Sequence, residues 1–164
     1  MINKAQPKSK RRLPTIKLRG KIKLDIGCGA GKQKGFIGLD RRDCGQEILW
    51  DVREGIPFPD NSVDMIWTCH VMEHFNNVES MDVLREMYRV LKIGGAMVHT
   101  TPHASDQTSC YFGHETYWNE ARVDTIPGVE GLSGLKILKN QMDKGRLNER
   151  MSMNQLSFML IKEK

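Results

Sequence analysis

No stretch of this chain approaches the ~20 consecutive apolar residues that cross a bilayer, and no apolar run follows the charges at its N-terminus. Membrane-spanning and secreted readings drop out, and a cytoplasmic protein is expected. Cysteine is sparse. Cys28, Cys44, Cys69 and Cys110 stand far apart with no Cys-x-x-Cys pair, in a chain too large to be a disulfide scaffold, so reduced thiols are expected. Acidic residues are missing from the first 23 positions, where Lys4, Lys8, Lys10, Arg11, Arg12, Lys17, Arg19, Lys21 and Lys23 place nine positive charges. There is no internal repeat, and no low-complexity tract beyond that tail.

What remains is 164 residues, 39% hydrophobic and 27% charged, enough for one compact domain that buries about 70% of its unfolded surface. The net charge of +5 is unevenly spread: of 25 basic residues nine lie in the first 23 positions, leaving 16 against 20 acidic residues, a balance of −4. The chain therefore divides into a basic tail, 1–20, and a single domain, 21–164. A solvated tail is the bland reading. A contact with nucleic acid, lipid headgroups or a protein partner is the alternative.

Alternating Ile22, Leu24 and Ile26 make Lys21–Asp25 a strand, stopped by Gly27, Gly29 and Gly31. Gly35–Asp40 reads as a second strand, Glu47–Val52 as a third and Val63–Thr68 as a fourth. Asn76 and Glu79 have capping-box spacing, and Leu84, Met87, Tyr88 and Leu91 follow at helical intervals, so a helix is expected to run to Gly94 and Gly95. Ala96–Thr101 reads as a fifth strand, Glu115–Val123 as a helix, and Leu135–Met142 and Gln155–Ile161 as strands. Such alternation indicates an α/β architecture with a mainly parallel sheet.

The informative stretch is Leu24-Asp25-Ile26-Gly27-Cys28-Gly29-Ala30-Gly31. A glycine turn at a strand's carboxyl end lets backbone approach a nucleotide. The dinucleotide fingerprint needs a third glycine where Lys32 stands, and no Gly-Lys-Ser/Thr completes a Walker loop. Asp25, two residues before the first glycine, instead suits a ligand with a cationic end. Asp40 closes the second strand, where a carboxylate can accept ribose hydroxyls, and Asp51 ends the third, beside a position for an adenine edge.

The chain resembles the class I S-adenosylmethionine-dependent methyltransferases, specifically their compact type 11-like group, over residues 21–102. The resemblance rests on LDIGCGAG at 24–31, GFIGLD at 35–40, IPFPDNSVDMIWTCHVMEHF at 56–75 and LREMYRVLKIGGAMVHTTP at 84–102. It implies a Rossmann-like methyltransferase fold, with a mainly parallel sheet and an antiparallel last strand, and S-adenosyl-L-methionine as cofactor. By the same resemblance Asp25, Gly27, Cys28 and Gly29 would line the methionine and ribose portions, and Asp40 with Arg41 the ribose. Asp51 and Val52 would border the adenine. Cys69 would offer backbone to the methionine end, and Glu73-His74 matches the family's Glu-His pair. This chain departs from the family in its connections. Three residues separate Gly31 from Gly35 and six separate Asp40 from Glu47, so the first crossover helices must be reduced or missing, with one sheet face exposed or left for a partner.

His70-Val71-Met72-Glu73-His74 also spells H-x-x-E-H, a zinc-peptidase motif. It follows a buried strand, precedes the Asn76 cap and lacks a third-ligand helix, so no metal site is expected. Trp67-Thr68-Cys69-His70 replaces the Asn/Asp-Pro-Pro-aromatic tetrad of amino-methylating DNA enzymes, and no Pro-Cys dipeptide occurs. Methyl transfer from a sulfonium needs positioning, and needs a base only for a hydroxyl or protonated-amine acceptor. His70 and His103 are the catalytic candidates, with His114 read as structural. Tyr111, Phe112, Tyr117 and Trp118 form either an acceptor wall or core packing. The expected function is transfer of a methyl group to a small molecule, sugar or protein. A nucleic-acid methyltransferase recruited by the tail, or a non-catalytic cofactor-binding module, is the alternative.

Overall fold

The computed structural model describes residues 20–148 and 151–164, so the basic tail lies outside the described residues except for Gly20. Seven strands, β1 (Lys23–Ile26), β2 (Ile37–Asp40), β3 (Ile48–Leu49), β4 (Val63–Cys69), β5 (Leu91–Pro102), β6 (Leu135–Asn148) and β7 (Met151–Lys162), form one sheet. Their order is β3-β2-β1-β4-β5-β7-β6. The pairs among β1 to β5 are parallel, and β7 runs antiparallel to both β5 and β6. The mainly parallel sheet with an antiparallel last strand is therefore as expected.

Helix α1 (Asn77–Val90) makes the β4-to-β5 crossover. Asn76 Oδ1 accepts the amides of Val78 and Glu79 at 2.9 and 3.0 Å while Glu79 reaches back to the Asn76 amide, a complete capping box. Val83, Leu84, Met87 and Val90 form its buried stripe. On another side, Arg89 donates to the carbonyls of Ile56 and Phe58 and pairs with Glu86 and Asp60, which fixes the turn that leads into β4.

The helix stops at Val90, earlier than its glycines suggested. Leu91 is fully buried and pairs with Val63 as the first residue of β5. The register then jumps to Met65↔Ala96, so Gly94, with φ +78°, serves an excursion of the strand and not a helix cap. The third strand is likewise shorter than Glu47–Val52, because Asp51 caps a 3-10 turn at Val52–Glu54. The expected helix at Glu115–Val123 shrinks to α2 (Glu120–Asp124), where the Asn119 side chain accepts from the Arg122 amide at 2.9 Å and sets the start.

Side chains alternate across the sheet. Leu24, Ile26, Ile66, Thr68, Met97, His99, Phe158 and Leu160 share the face carrying both helices, and all are sealed from solvent. Lys162, in phase with them, donates to the carbonyls of Tyr88 and Leu91 at 2.9 Å each and so fastens β7 to the end of α1. Trp118, just before α2, stacks on Phe158 at 5.6 Å. On the opposite face Met65, Trp67, Ala96, Val98, Met159 and Ile161 are only half-buried. Turns replace the helices between β1, β2 and β3, as the short spacings required.

Candidate functional site

Past β1 the chain turns at Gly27, whose φ of +68° is left-handed and whose amide donates to Leu39 O at 2.7 Å. A Cβ there would lie 2.5 Å from Val71 Cγ2, so only glycine lets β1's end pack against the segment after β4. Two buried carboxylates hold the loop beyond Gly27. Asp25 Oδ2 accepts the Gln33 amide at 2.7 Å, and Asp40 Oδ2 accepts the Gly29 amide at 2.9 Å. Burial pushes the Asp25 carboxyl above its usual range, against the lowering pull of the Gln33 amide and Lys32. Cys28 and Lys32 fold onto Gly38 of β2, where a Cβ would meet Cys28 Sγ and Lys32 Cδ at 2.8 Å. The Cys28 thiol is pushed up to about 11, first by burial and then by Asp25 and Asp40, so it stays protonated at neutral pH and is no nucleophile.

This turn forms one side of a cleft at the carboxyl ends of β1, β2 and β4, where ligands of open α/β sheets bind. Of the expected site residues, Gly27, Asp40, Arg41, Asp51, Val52, His70 and His74 line it. Asp25, Cys28, Gly29 and Cys69 do not; the first three build the turn behind the lining, and Cys69 ends β4, exposed. Trp50, Arg53, Val71 and Phe75 line the cleft without having been foreseen. Their signal was adjacency to recognised residues: Trp50 precedes Asp51, Arg53 comes two positions later, and Val71 and Phe75 flank Glu73-His74. Arg53 grips Asp51 through Nε at 3.0 Å and a terminal nitrogen at 2.6 Å, and that guanidinium holds the Asp51 carboxyl below its usual range.

The other end of the cleft collects histidines. His70, with φ +55°, sets its Nδ1 3.2 Å from Glu73 Oε1. The H-x-x-E-H motif is not one helix, since His70 precedes a 3-10 turn at Met72–His74. Glu73 is buried, accepts from Thr101 Oγ1 through Oε2 at 3.0 Å, and its carbonyl receives the Glu115 amide at 2.7 Å. The loop 111–117 is thereby held against the cleft's rim. The aromatic set divides: Tyr111, Phe112 and Tyr117 are exposed, whereas Trp118 is core. His103 lies outside the cleft, one ring nitrogen 2.6 Å from Ser105 Oγ and the other 3.0 Å from Glu120 Oε2.

The cleft fits a sulfonium nucleoside. The Gly27 turn allows close approach, nothing lies within 4 Å of a Cβ built at Gly29, Asp40 and Asp51 present carboxylates, and Val52 and Phe75 offer apolar walls. A family model described as "Methyltransferase domain" matches residues 34–99. Over that segment the chain is similar to the class I S-adenosylmethionine-dependent methyltransferases, whose cofactor is S-adenosylmethionine.

Among individual proteins, it is 40% identical over 74 residues to the ubiquinone/menaquinone biosynthesis C-methyltransferase UbiE of Stenotrophomonas maltophilia; the match takes in 44% of this chain and spans only 25% of that protein's length. In fold it is similar to the YcgJ protein of Bacillus subtilis (TM-score 0.63, 17% identity, 90% of this chain and 94% of that one). It is also similar to an S-adenosylmethionine-dependent methyltransferase of Methanosarcina mazei (TM-score 0.68, 16% identity, 88% and 94%). A third similar structure, phosphoethanolamine N-methyltransferase 2 of Haemonchus contortus, was solved with S-adenosylhomocysteine (TM-score 0.61, 14% identity, 88% and 49%). No helix among the described residues is long and apolar enough to cross a membrane.

Proposed function

We propose that this chain transfers a methyl group from S-adenosylmethionine to a small-molecule acceptor that enters beside His70 and the loop 111–117. The observation that carries the reading is the convergence of the Gly27 turn, Asp40 and Asp51 on one cleft whose far end holds His70 and His74. The name of the UbiE relative, a C-methyltransferase of quinone biosynthesis, supports a small-molecule acceptor over a nucleic acid or protein.

When bound, the cofactor supplies an electrophilic methyl on a positively charged sulfur. Asp40 would accept the ribose hydroxyls in place of its present amide partners. Asp51, held by Arg53, would border the adenine with Val52, and the Gly27 backbone would leave room for the methionine chain. His70, which lines the cleft, accepts a proton from a hydroxyl or protonated-amine acceptor. His103, with both ring nitrogens engaged away from the cleft, orients Glu120 and the loop at Ser105.

Calorimetry tests the reading directly. The folded protein should bind S-adenosylmethionine and S-adenosylhomocysteine. Asp40→Ala, checked for folding by circular dichroism, should weaken both by more than about tenfold, the loss of a charge-assisted bond of ~1.5–3 kcal/mol. No heat and no thermal shift from either nucleoside would remove the reading. Incorporation of labelled methyl into fractionated cell extract then identifies the acceptor.

A further inference from the structure

We infer that Glu73, His74 and His114 form a binding site for a divalent transition-metal ion at the acceptor end of the cleft. Each offers one ligand atom, and the three atoms lie within 4.8 Å of one another. Glu73 and His74 belong to the 3-10 turn after β4, whereas His114 comes from the loop 111–117, so the fold joins positions far apart in sequence.

Two unsatisfied atoms point independently to a ligand. Glu73 Oε1 is buried on a side chain only 1% exposed and has no hydrogen-bond partner; His70 Nδ1, at 3.2 Å, lacks the geometry to donate to it. His114 Nδ1 is also buried and unpartnered. A buried carboxylate oxygen and a buried imidazole nitrogen left unbonded in one cluster are costly, and a cation bound there relieves that cost.

His74 is already oriented for this task. Its Nδ1 stands 2.8 Å from Gly113 O, and a carbonyl can only accept, so Nδ1 carries the proton and Nε2 keeps its lone pair. A backbone carbonyl that fixes the tautomer of a histidine is the usual outer support of a metal ligand. The His74 and His114 rings meet edge to face with centroids 4.9 Å apart. Ligand atoms on a tetrahedral ion with ~2.1 Å bonds sit about 3.4 Å apart. Rotation of the loop-borne His114 side chain supplies the needed closure.

Two imidazoles and one carboxylate suit zinc, manganese, iron or cobalt, and three protein ligands leave positions open. His74 also lines the cleft, so an open position faces the place where the acceptor would enter. An oxygen of the acceptor is the ligand it would take, polarised there as by a Lewis acid. That last assignment rests on the methyltransferase reading; the metal site itself does not.

The test is titration of the purified, metal-stripped protein with Co2+ and Zn2+, followed by visible absorption and calorimetry. One equivalent of Co2+ should bind and give a d–d band displaced by Zn2+. His114→Ala and His74→Ala, on side chains outside the core, should each weaken binding by more than about 100-fold, beyond what loss of an outer support costs. His103→Ala should leave it unchanged. Folded protein that shows no band and no heat, or binding that survives in both His114→Ala and His74→Ala, overturns the inference. Titrating S-adenosylmethionine in the same cell separates the two readings. Metal binding without nucleoside binding sustains the site and removes methyl transfer. Nucleoside binding without metal binding does the reverse.

Discussion

The two faces of the sheet are made from the same strands and behave as different materials. Along β5, Met97 and His99 point to the helices and are sealed, while Ala96 and Val98 point the other way and stay half-open. The asymmetry comes from connection length. The β4-to-β5 crossover has room for α1, whereas those joining β1, β2 and β3 are turns. Burial in a parallel sheet is thus set by the crossovers and not by strand composition, since Met, Trp, Val and Ile occupy the open face too.

The sharpest way to break this comparison is one truncation made on both faces. Met97→Ala should cost about 2–5 kcal/mol in urea denaturation, since Met97 is fully enclosed. Met65→Ala, on the open face, should cost less than about 1 kcal/mol. Equal losses would mean that something covers the second face in solution.

The sealed face also carries a pH signature. His99 is held by Thr68 Oγ1 at 2.7 Å, and burial pushes its pKa down to about 3. An unfolded histidine protonates near pH 6.5, so the folded state's advantage is complete above that value and is lost as pH falls toward 3. Between pH 8 and pH 5, above most carboxylate titration, stability should drop by about 2 kcal/mol. His99→Leu should flatten that slope, and an unchanged slope would place the imidazole in contact with water. A smaller or similar loss, about 1–3 kcal/mol, is expected for Lys162→Met, which leaves the carbonyls of Tyr88 and Leu91 without their donor. Thermal unfolding checks it.

Much of this was legible in the sequence because it is local. The glycine turn, the acids at the ends of β1 and β2 and the Asn76 capping box are each written within a few residues. Ends of elements were harder to place. Asp51 had the look of a strand terminus and acts as a cap, and Gly94 had the look of a helix stop and serves a strand excursion, because tertiary pairing of Leu91 with Val63 outweighs the local signal. His103 was a reasonable base by position, yet Glu120 from α2 engages one of its ring nitrogens. The approach of His114 to Glu73 and His74 has no sequence signature, since it depends on hydrogen bonds that the Glu115 and Thr116 amides donate to the Glu73 carbonyl, far back in the chain.

The carboxylate staples have one more consequence. Asp40 already binds the amides of Gly29 and Arg42 through both its oxygens, the same oxygens a ribose would claim under the proposed function. Under that proposal, arrival of the nucleoside would unfasten part of its own berth, and affinity and local rigidity would become a single adjustable quantity, so that stiffening this loop would tune occupancy without touching a contact atom.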